Sequence, residues 1–429
     1  MMKRVFIMLM CLCVSASAWS QTPPAVYATV ANKFKALYNN NQPDSIFAMF
    51  SPEMKASLPL DKFKPTTIQL KSQLGNLTQT DFVKYNAPLA IYKAVFEKAT
   101  FLLNISLNAQ NKLTGLILSP YVESTKSIEI DPSLIESPVQ LKNFTGTISG
   151  TLTMPKNANG KLPVVLIIAG SGPTDRDGNS PKLGLNGNTY KMLANELGKN
   201  GIATVRYDKR MVGQSVSVAK EKEIRFEDYV DDAVGLVKML SEDDRFSKVI
   251  VLGHSEGSLI GLLTIRGQAA KGFISVAGAG RPADQIVMEQ VKATQPAFIF
   301  DQYKRMQDSL RKGKFTDNID PKLYPIARPD IQPYLMSWFR YDPIREMKKV
   351  KIPTLILQGT TDIQVPVTDA EKLKKANSAA TLVIVPGMNH ILKEAPADQA
   401  QNAATYSQSN LPIKPEVTAA IVDFVKRIN

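Results

Sequence analysis

Residues 253–257 read Gly253-His254-Ser255-Glu256-Gly257. They follow the apolar run Val249 to Leu252 and precede the small and apolar run Ser258 to Leu263. A β-branched run followed at once by a helix-like run predicts a strand, a tight turn and a helix. Few folds accommodate that junction. The chain must reverse over one serine, and small residues on either side let neighbouring segments pass close by. The hydroxyl then projects above the end of a sheet, at the N-terminus of a helix. The motif therefore asks for strands and helices layered on a mostly parallel sheet.

The surrounding sequence supplies such layers. Short apolar runs at Val164 to Ala169, Ala203 to Tyr207, Gly272 to Val276, Thr354 to Gln358 and Leu382 to Val385 predict strands, and Thr145 to Met154 predicts another. Tyr190 to Lys199 and Phe226 to Leu240 have helical spacing. Continuous apolar strands alternating with helices imply a parallel sheet covered on both faces. Residues 283–345 interrupt the alternation with a charged, aromatic-rich helical stretch, expected to cover the strand ends as a lid.

A serine hydroxyl needs a base to become a nucleophile. The chain has two histidines. His254 adjoins Ser255, so its ring is expected to pack away from the hydroxyl. That leaves His390, in the loop after strand Leu382 to Val385, as the candidate base. The base needs a carboxylate to fix its tautomer. Asp362, after strand Thr354 to Gln358, is the candidate, with Asp369 and Glu371 as weaker alternatives. The order serine, aspartate, histidine suits sites at strand C-termini.

Acyl transfer also needs donors for a developing oxyanion. The backbone N–H of Glu256 is one candidate. The second is expected in the glycine-rich loop 170–179, at Ser171, with Gly172 as the alternative. This loop lacks the glycines and lysine of a nucleotide-binding motif. It also lacks the glycine and final acid of a calcium loop. No cofactor or metal is expected. Asp175, Arg176 and Asp177 are expected to form a charge network shaping the loop. Arg206-Tyr207-Asp208-Lys209-Arg210, at the end of another strand, is expected to pair structurally, with Asp175 or Asp177 as partners; a substrate-contact role is the alternative.

Upstream, Ala25 to Asn40, Asp44 to Phe50 and Thr66 to Leu74 predict helices. From Thr78 to Val122 the pattern is that of an antiparallel meander. Residues 22–122 therefore read as a small α+β domain, 123–137 as a linker, and 138–429 as the catalytic domain. The basic start at Lys3 and Arg4, the apolar run Val5 to Val14 and the small residues Ala16 to Ala18 have the layout of a cleaved signal peptide over residues 1–18. Secretion or a periplasmic location is the expectation, without stable membrane insertion. Both cysteines, Cys11 and Cys13, fall inside that segment, so no disulfide or thiol chemistry is expected of the mature chain. The net charge is +13, but the lysines are scattered and not interleaved with aromatics, so no nucleic-acid partner is expected.

The loop 170–179, the segment 206–210 and the elbow 253–257 together resemble secreted bacterial α/β-hydrolase esterases that carry a small domain before the catalytic one. The catalytic part also resembles the serine aminopeptidase branch of that fold, and the upstream part resembles cystatin-like or NTF2-like domains. The resemblance implies a carboxylic-ester hydrolase acting on short acyl esters, with Ser255, Asp362 and His390 as a triad. A serine aminopeptidase or an acyltransferase on the same fold is the alternative, and an inactive-hydrolase binding protein is the alternative of another class. The N-terminal domain is a candidate homodimerisation module. Similar proteins have glycine after the Lys-Arg pair, where this chain has Met211; that residue is expected to narrow a turn or line the pocket.

Overall fold

The computed structural model describes residues 24–121 and 128–428. The expected signal segment and both cysteines lie outside the described residues. The chain divides into two compact units at Glu123/Ser124.

The first unit begins with helices α1 (Ala25–Asn39), α2 (Pro43–Phe47), α3 (Pro52–Ser57) and α4 (Leu60–Leu74). Strands β1 (Leu77–Asn86), β2 (Leu89–Phe96), β3 (Thr100–Leu107) and β4 (Leu113–Pro120) follow as an antiparallel sheet in sequential order. Buried aromatics, among them Phe34, Tyr38, Phe50 and Phe96, form its core with Leu103 and Ile105. Three helical details differ from the sequence expectation: α2 ends at Phe47 rather than Phe50, and two more concern α3 and α4. Helix α3 is added: Ser51 caps it by accepting from the Met54 N–H at 3.2 Å, and Pro52 opens it. Helix α4 starts six residues early and carries Pro65 inside it.

The second unit opens with β5 (Leu134–Asn143), β6 (Gly146–Pro155) and β7 (Leu162–Ile168). The expected linker over 123–137 is too long, and the domain start at Pro138 falls inside a strand. Residues 134–137 already belong to β5, which pairs along its whole length with β6. Among the described residues β5 pairs with β6 alone, and its side chains are largely exposed. An edge strand needs no apolar run and tolerates Pro138, so it left no strand signal.

The short hairpin strands β8 (Asn179–Ser180) and β9 (Leu185–Asn186) precede α5 (Thr189–Lys199) and β10 (Ala203–Tyr207). Then come β11 (Val216–Ser217), α6 (Phe226–Ser241), β12 (Phe246–His254), α7 (Glu256–Thr264) and β13 (Ala270–Val276). After an insertion, β14 (Thr354–Gly359), α13 (Val367–Ala376), β15 (Thr381–Val385), α14 (Gln399–Ala404) and α15 (Pro415–Arg427) complete the unit. The main sheet runs β11-β6-β10-β7-β12-β13-β14-β15, with β5 beside β6. The strands from β10 to β15 along this order are parallel, while β5, β6 and β11 are joined antiparallel.

The unbroken apolar strands follow from this layering. Along β7, Val164, Leu166 and Ile168 face the core shared with α6, α7 and α13, whereas Val165 and Ile167 face the core shared with α5 and α15. Val249 and Val251 of β12 alternate in the same way with Ile250 and Leu252. The central stretches of β7 and β12 bury both faces, so their positions are apolar.

The insertion between β13 and β14 holds α8 (Ala283–Thr294), α9 (Ala297–Arg311), α10 (Tyr324–Ala327), α11 (Gln332–Trp338) and α12 (Pro343–Met347). It has its own core around Tyr303, Met306, Leu310 and Leu323. It docks through Trp338, whose ring stacks on Phe226 of α6 with centroids 5.9 Å apart. Among the described residues no helix is long and apolar enough to cross a membrane.

Candidate active site

Strand β12 ends at His254 and helix α7 begins at Glu256, so the reversal takes place at Ser255 alone. Its backbone sits at φ 55° and ψ −121°, outside the regions that side-chain-bearing residues favour. Such a residue persists only where its surroundings hold it. Here its N–H donates to the Val276 carbonyl at 2.9 Å. The flanking glycines have a steric reason. A Cβ on Gly253 would lie 2.1 Å from the Gly257 carbonyl oxygen, and one on Gly257 would lie 2.3 Å from that of Ile168. No other side chain fits either position.

His390 and Asp362 meet at the ends of β15 and β14. The imidazole Nδ1 lies 2.8 Å from Asp362 Oδ2, and both side chains are buried. Asp362 also accepts from Gln358 Nε2 at 3.0 Å and from the Gln364 and Val365 N–H groups at 2.8 and 2.9 Å. Burial opposes its ionisation. The facing His390 and these hydrogen bonds outweigh burial and hold the carboxyl below its usual range. The weaker acid candidates are occupied or outward: Asp369 pairs with Arg281 at 2.8 Å, and Glu371 is exposed. The loop bearing His390 is braced by Asn389, whose amide donates to Thr405 Oγ1 at 2.8 Å and accepts from the Lys393 N–H at 3.0 Å. A Cβ on Gly359 would lie 1.9 Å from the Met388 carbonyl oxygen, so the glycine lets that loop pass.

His254 joins the serine and histidine loops. Its buried ring lies with its centroid 5.0 Å from that of His390, and Nε2 is 2.8 Å from the His390 carbonyl oxygen. Nδ1 is 2.8 Å from the Tyr190 hydroxyl, which itself accepts from the Gly170 N–H at 3.1 Å. Burial, reinforced by His390, pushes the His254 pKa down to about 3, so the ring is neutral. The carbonyl can only accept; Nε2 therefore carries the proton and Tyr190 donates to Nδ1. This ring is more than packing, and neither Tyr190 nor its role was visible in the periodicity of α5.

The glycine-rich loop passes directly against the elbow. A Cβ on Gly170 would lie 3.2 Å from Ser255 Cβ. Among the described residues, neither the Ser171 nor the Glu256 N–H donates to a loop or side-chain acceptor. Gly172 has φ 83°, a left-handed conformation suited to glycine.

The charges of segment 206–210 each find a partner, mostly not the expected one. Arg206 pairs with Glu136 and lies 3.3 Å from Asp177. Asp208 meets Arg176 at 2.6 Å, Arg210 meets Asp232 at 2.7 Å, and Lys209 meets Glu256 at 2.9 Å. Asp175 does not pair with the segment; it accepts the Asp177 and Asn179 N–H groups at 2.9 and 2.8 Å. Glu256 also accepts from the hydroxyl of Tyr334 in α11 at 2.5 Å. Burial, then the facing carboxylate, pushes that phenol far up, so it stays a donor. Met211 has φ 62° and is half exposed; its backbone adopts the turn conformation glycine would take.

Comparison with known proteins follows the same lines. Residues 183–322 match the family described as serine aminopeptidase, S33, and residues 31–116 match a family described as a protein of unknown function. The chain is 26% identical over 367 residues to esterase EstD of Thermotoga maritima, covering 81% of this chain and 84% of that protein. It is 25% identical over 233 residues to a non-heme haloperoxidase of Rhodococcus erythropolis, covering 47% of this chain and 80% of that one. Among solved structures, Est1E from Butyrivibrio proteoclasticus with ferulic acid bound covers 67% of this chain and all of its own, at 18% identity and a TM-score of 0.47. Its parallel sheet, helical layers and serine elbow are those of an α/β-hydrolase fold, and over most of its length the chain is similar to an esterase.

Proposed function

We propose that this protein hydrolyses short-chain carboxylic esters through an acyl-enzyme on Ser255. The observation that carries the reading is the buried His390–Asp362 pair at 2.8 Å, tied through His254 to the elbow that bears Ser255. In this reading Ser255 Oγ attacks the acyl carbon while His390 Nε2 takes its proton. Asp362 keeps the His390 proton on Nδ1 and stabilises the imidazolium. The N–H groups of Glu256 and Ser171 receive the oxyanion. His390 then protonates the leaving alcohol, and water, deprotonated by the same base, releases the acid. A Ser255→Ala variant is expected to melt like the parent and to lose hydrolysis of p-nitrophenyl acetate. Retained turnover would remove Ser255 from the mechanism.

The aminopeptidase alternative needs a carboxylate free to hold a substrate ammonium. Glu256 stands beside the nucleophile but is already matched by Lys209 and Tyr334, with a side chain only 1% exposed. That favours the ester. An amino-acid p-nitroanilide turned over faster than the nitrophenyl ester would reverse the preference.

The layout of residues 1–18 supports export as part of this reading. The N-terminal sequence of the protein recovered from cells tests it: an intact Met1 would count against cleavage.

A further inference from the structure

One buried ammonium touches both segments that carry the candidate oxyanion donors. Lys209 lies two residues beyond the end of β10, and its side chain is 5% exposed. Nζ donates to the Gly170 carbonyl at 3.0 Å and to Glu256 Oε1 at 2.9 Å. The same atom lies 4.5 Å from the centre of the Tyr229 ring, a face that attracts cations. Two donors are therefore spent on the glycine-rich loop and the elbow, and the charge also rests against an aromatic wall.

The contact with Gly170 matters because of peptide geometry. The Gly170 carbonyl and the Ser171 N–H are opposite ends of one planar, trans peptide unit. Pinning the oxygen toward Lys209 aims the hydrogen the other way. A cation on the oxygen also polarises the unit and strengthens its N–H as a donor. Tyr190 Oη holds the preceding peptide by accepting the Gly170 N–H, so the loop is held on both sides of Gly170 Cα. At the other donor, Glu256 is held by both carboxylate oxygens, one on Lys209 and one on Tyr334, which anchors the residue whose N–H opens α7.

We propose that Lys209 is a positioning residue for catalysis: it sets the Ser171 and Glu256 N–H groups as an oxyanion hole through its two contacts. The inference rests on the reading of Ser255 as nucleophile. A lysine present only to neutralise a buried glutamate would have no need of the carbonyl. The Gly170 contact is the part that charge balance does not explain.

Two variants of the full chain separate these roles. Lys209→Met removes both contacts but strands a buried carboxylate, which threatens folding. Lys209→Met with Glu256→Gln removes the lysine and leaves no unpaired charge, while the amide oxygen can still accept from Tyr334. Both are assayed with p-nitrophenyl acetate and with a phenylboronic acid, which forms a tetrahedral adduct on a nucleophilic serine. Loss of an oxyanion donor lowers kcat by about 10²–10³. The double variant is therefore expected to melt as a folded protein and to lose about 100-fold in kcat. Its KM should stay within about threefold, and boronate affinity should fall at least about tenfold. Recovery of near-parental kcat in the double variant would reduce Lys209 to a counter-ion and overturn the inference. A loss confined to KM would do the same. If the parent does not hydrolyse the ester, or Ser255→Ala still does, the catalytic reading fails and takes this inference with it. If those two controls behave and Lys209 variants keep kcat, only the inference fails.

Discussion

His254 donates from Nε2 to the backbone carbonyl oxygen of His390 across 2.8 Å. The residue before the candidate nucleophile thus holds the chain of the candidate base, and its ring is neutral, with Nδ1 accepting from the Tyr190 hydroxyl. Its pKa of about 3 lies below the ordinary histidine value near 6.5. Between those values the unfolded chain binds a proton that the folded one refuses. Stability from this residue is complete above about pH 6.5 and is lost as pH falls toward 3. Denaturant unfolding at pH 7 and pH 4 should show a smaller acid loss for His254→Gln than for the parent. Equal losses would mean that the ring is not held neutral.

Asp362→Asn should preserve the fold and lower kcat on p-nitrophenyl acetate by about 10³–10⁴. The amide cannot accept the His390 Nδ1 proton and also keep the three N–H groups that now converge on the carboxylate. The ring would be driven toward the wrong tautomer. A loss below about tenfold would point to another acid.

Gly257→Ala should destabilise the second unit severely. The new methyl would meet the backbone carbonyl oxygens of Ile168 and Ala169 at 2.3 and 2.7 Å, and backbone inside a sheet core cannot step aside. Gly267→Ala is the control, because nothing lies within 4 Å there and only its φ of 68° is strained. The melting temperature should fall far more for the first variant, or the first should fail to fold. Similar melting curves would contradict the close passage.

Met211→Gly should stabilise. A left-handed conformation costs a side-chain-bearing residue about 1–2 kcal/mol, part of which glycine returns through the freedom of the unfolded chain. A net gain of about 0.5–1 kcal/mol is expected by denaturant titration. A loss would show that the half-exposed Met211 side chain contributes packing that outweighs the strain.

The sequence by itself determined the layered architecture, because a strand buried on both faces must be apolar at every position and Val164 to Ile168 is. It also determined the elbow, because only glycine can stand where Gly253 and Gly257 meet backbone at about 2 Å. The candidate triad was legible for a related reason: few histidines compete, and Asp362 and His390 each follow a strand. Strand β5 was not legible, since an exposed edge carries no apolar signature. The partners of Arg206, Asp208, Lys209 and Arg210 were hidden too. They come from residues as distant as Glu136 and Glu256, and charges carry no periodicity that names a partner. The tertiary structure alone decided that Lys209 bridges the glycine-rich loop and the elbow, and that Tyr190 and His254 connect that loop to His390. The candidate serine, base and acid follow local rules of turn and strand end. What surrounds Ser255 depends on which remote side chains the packed sheet brings within 3 Å.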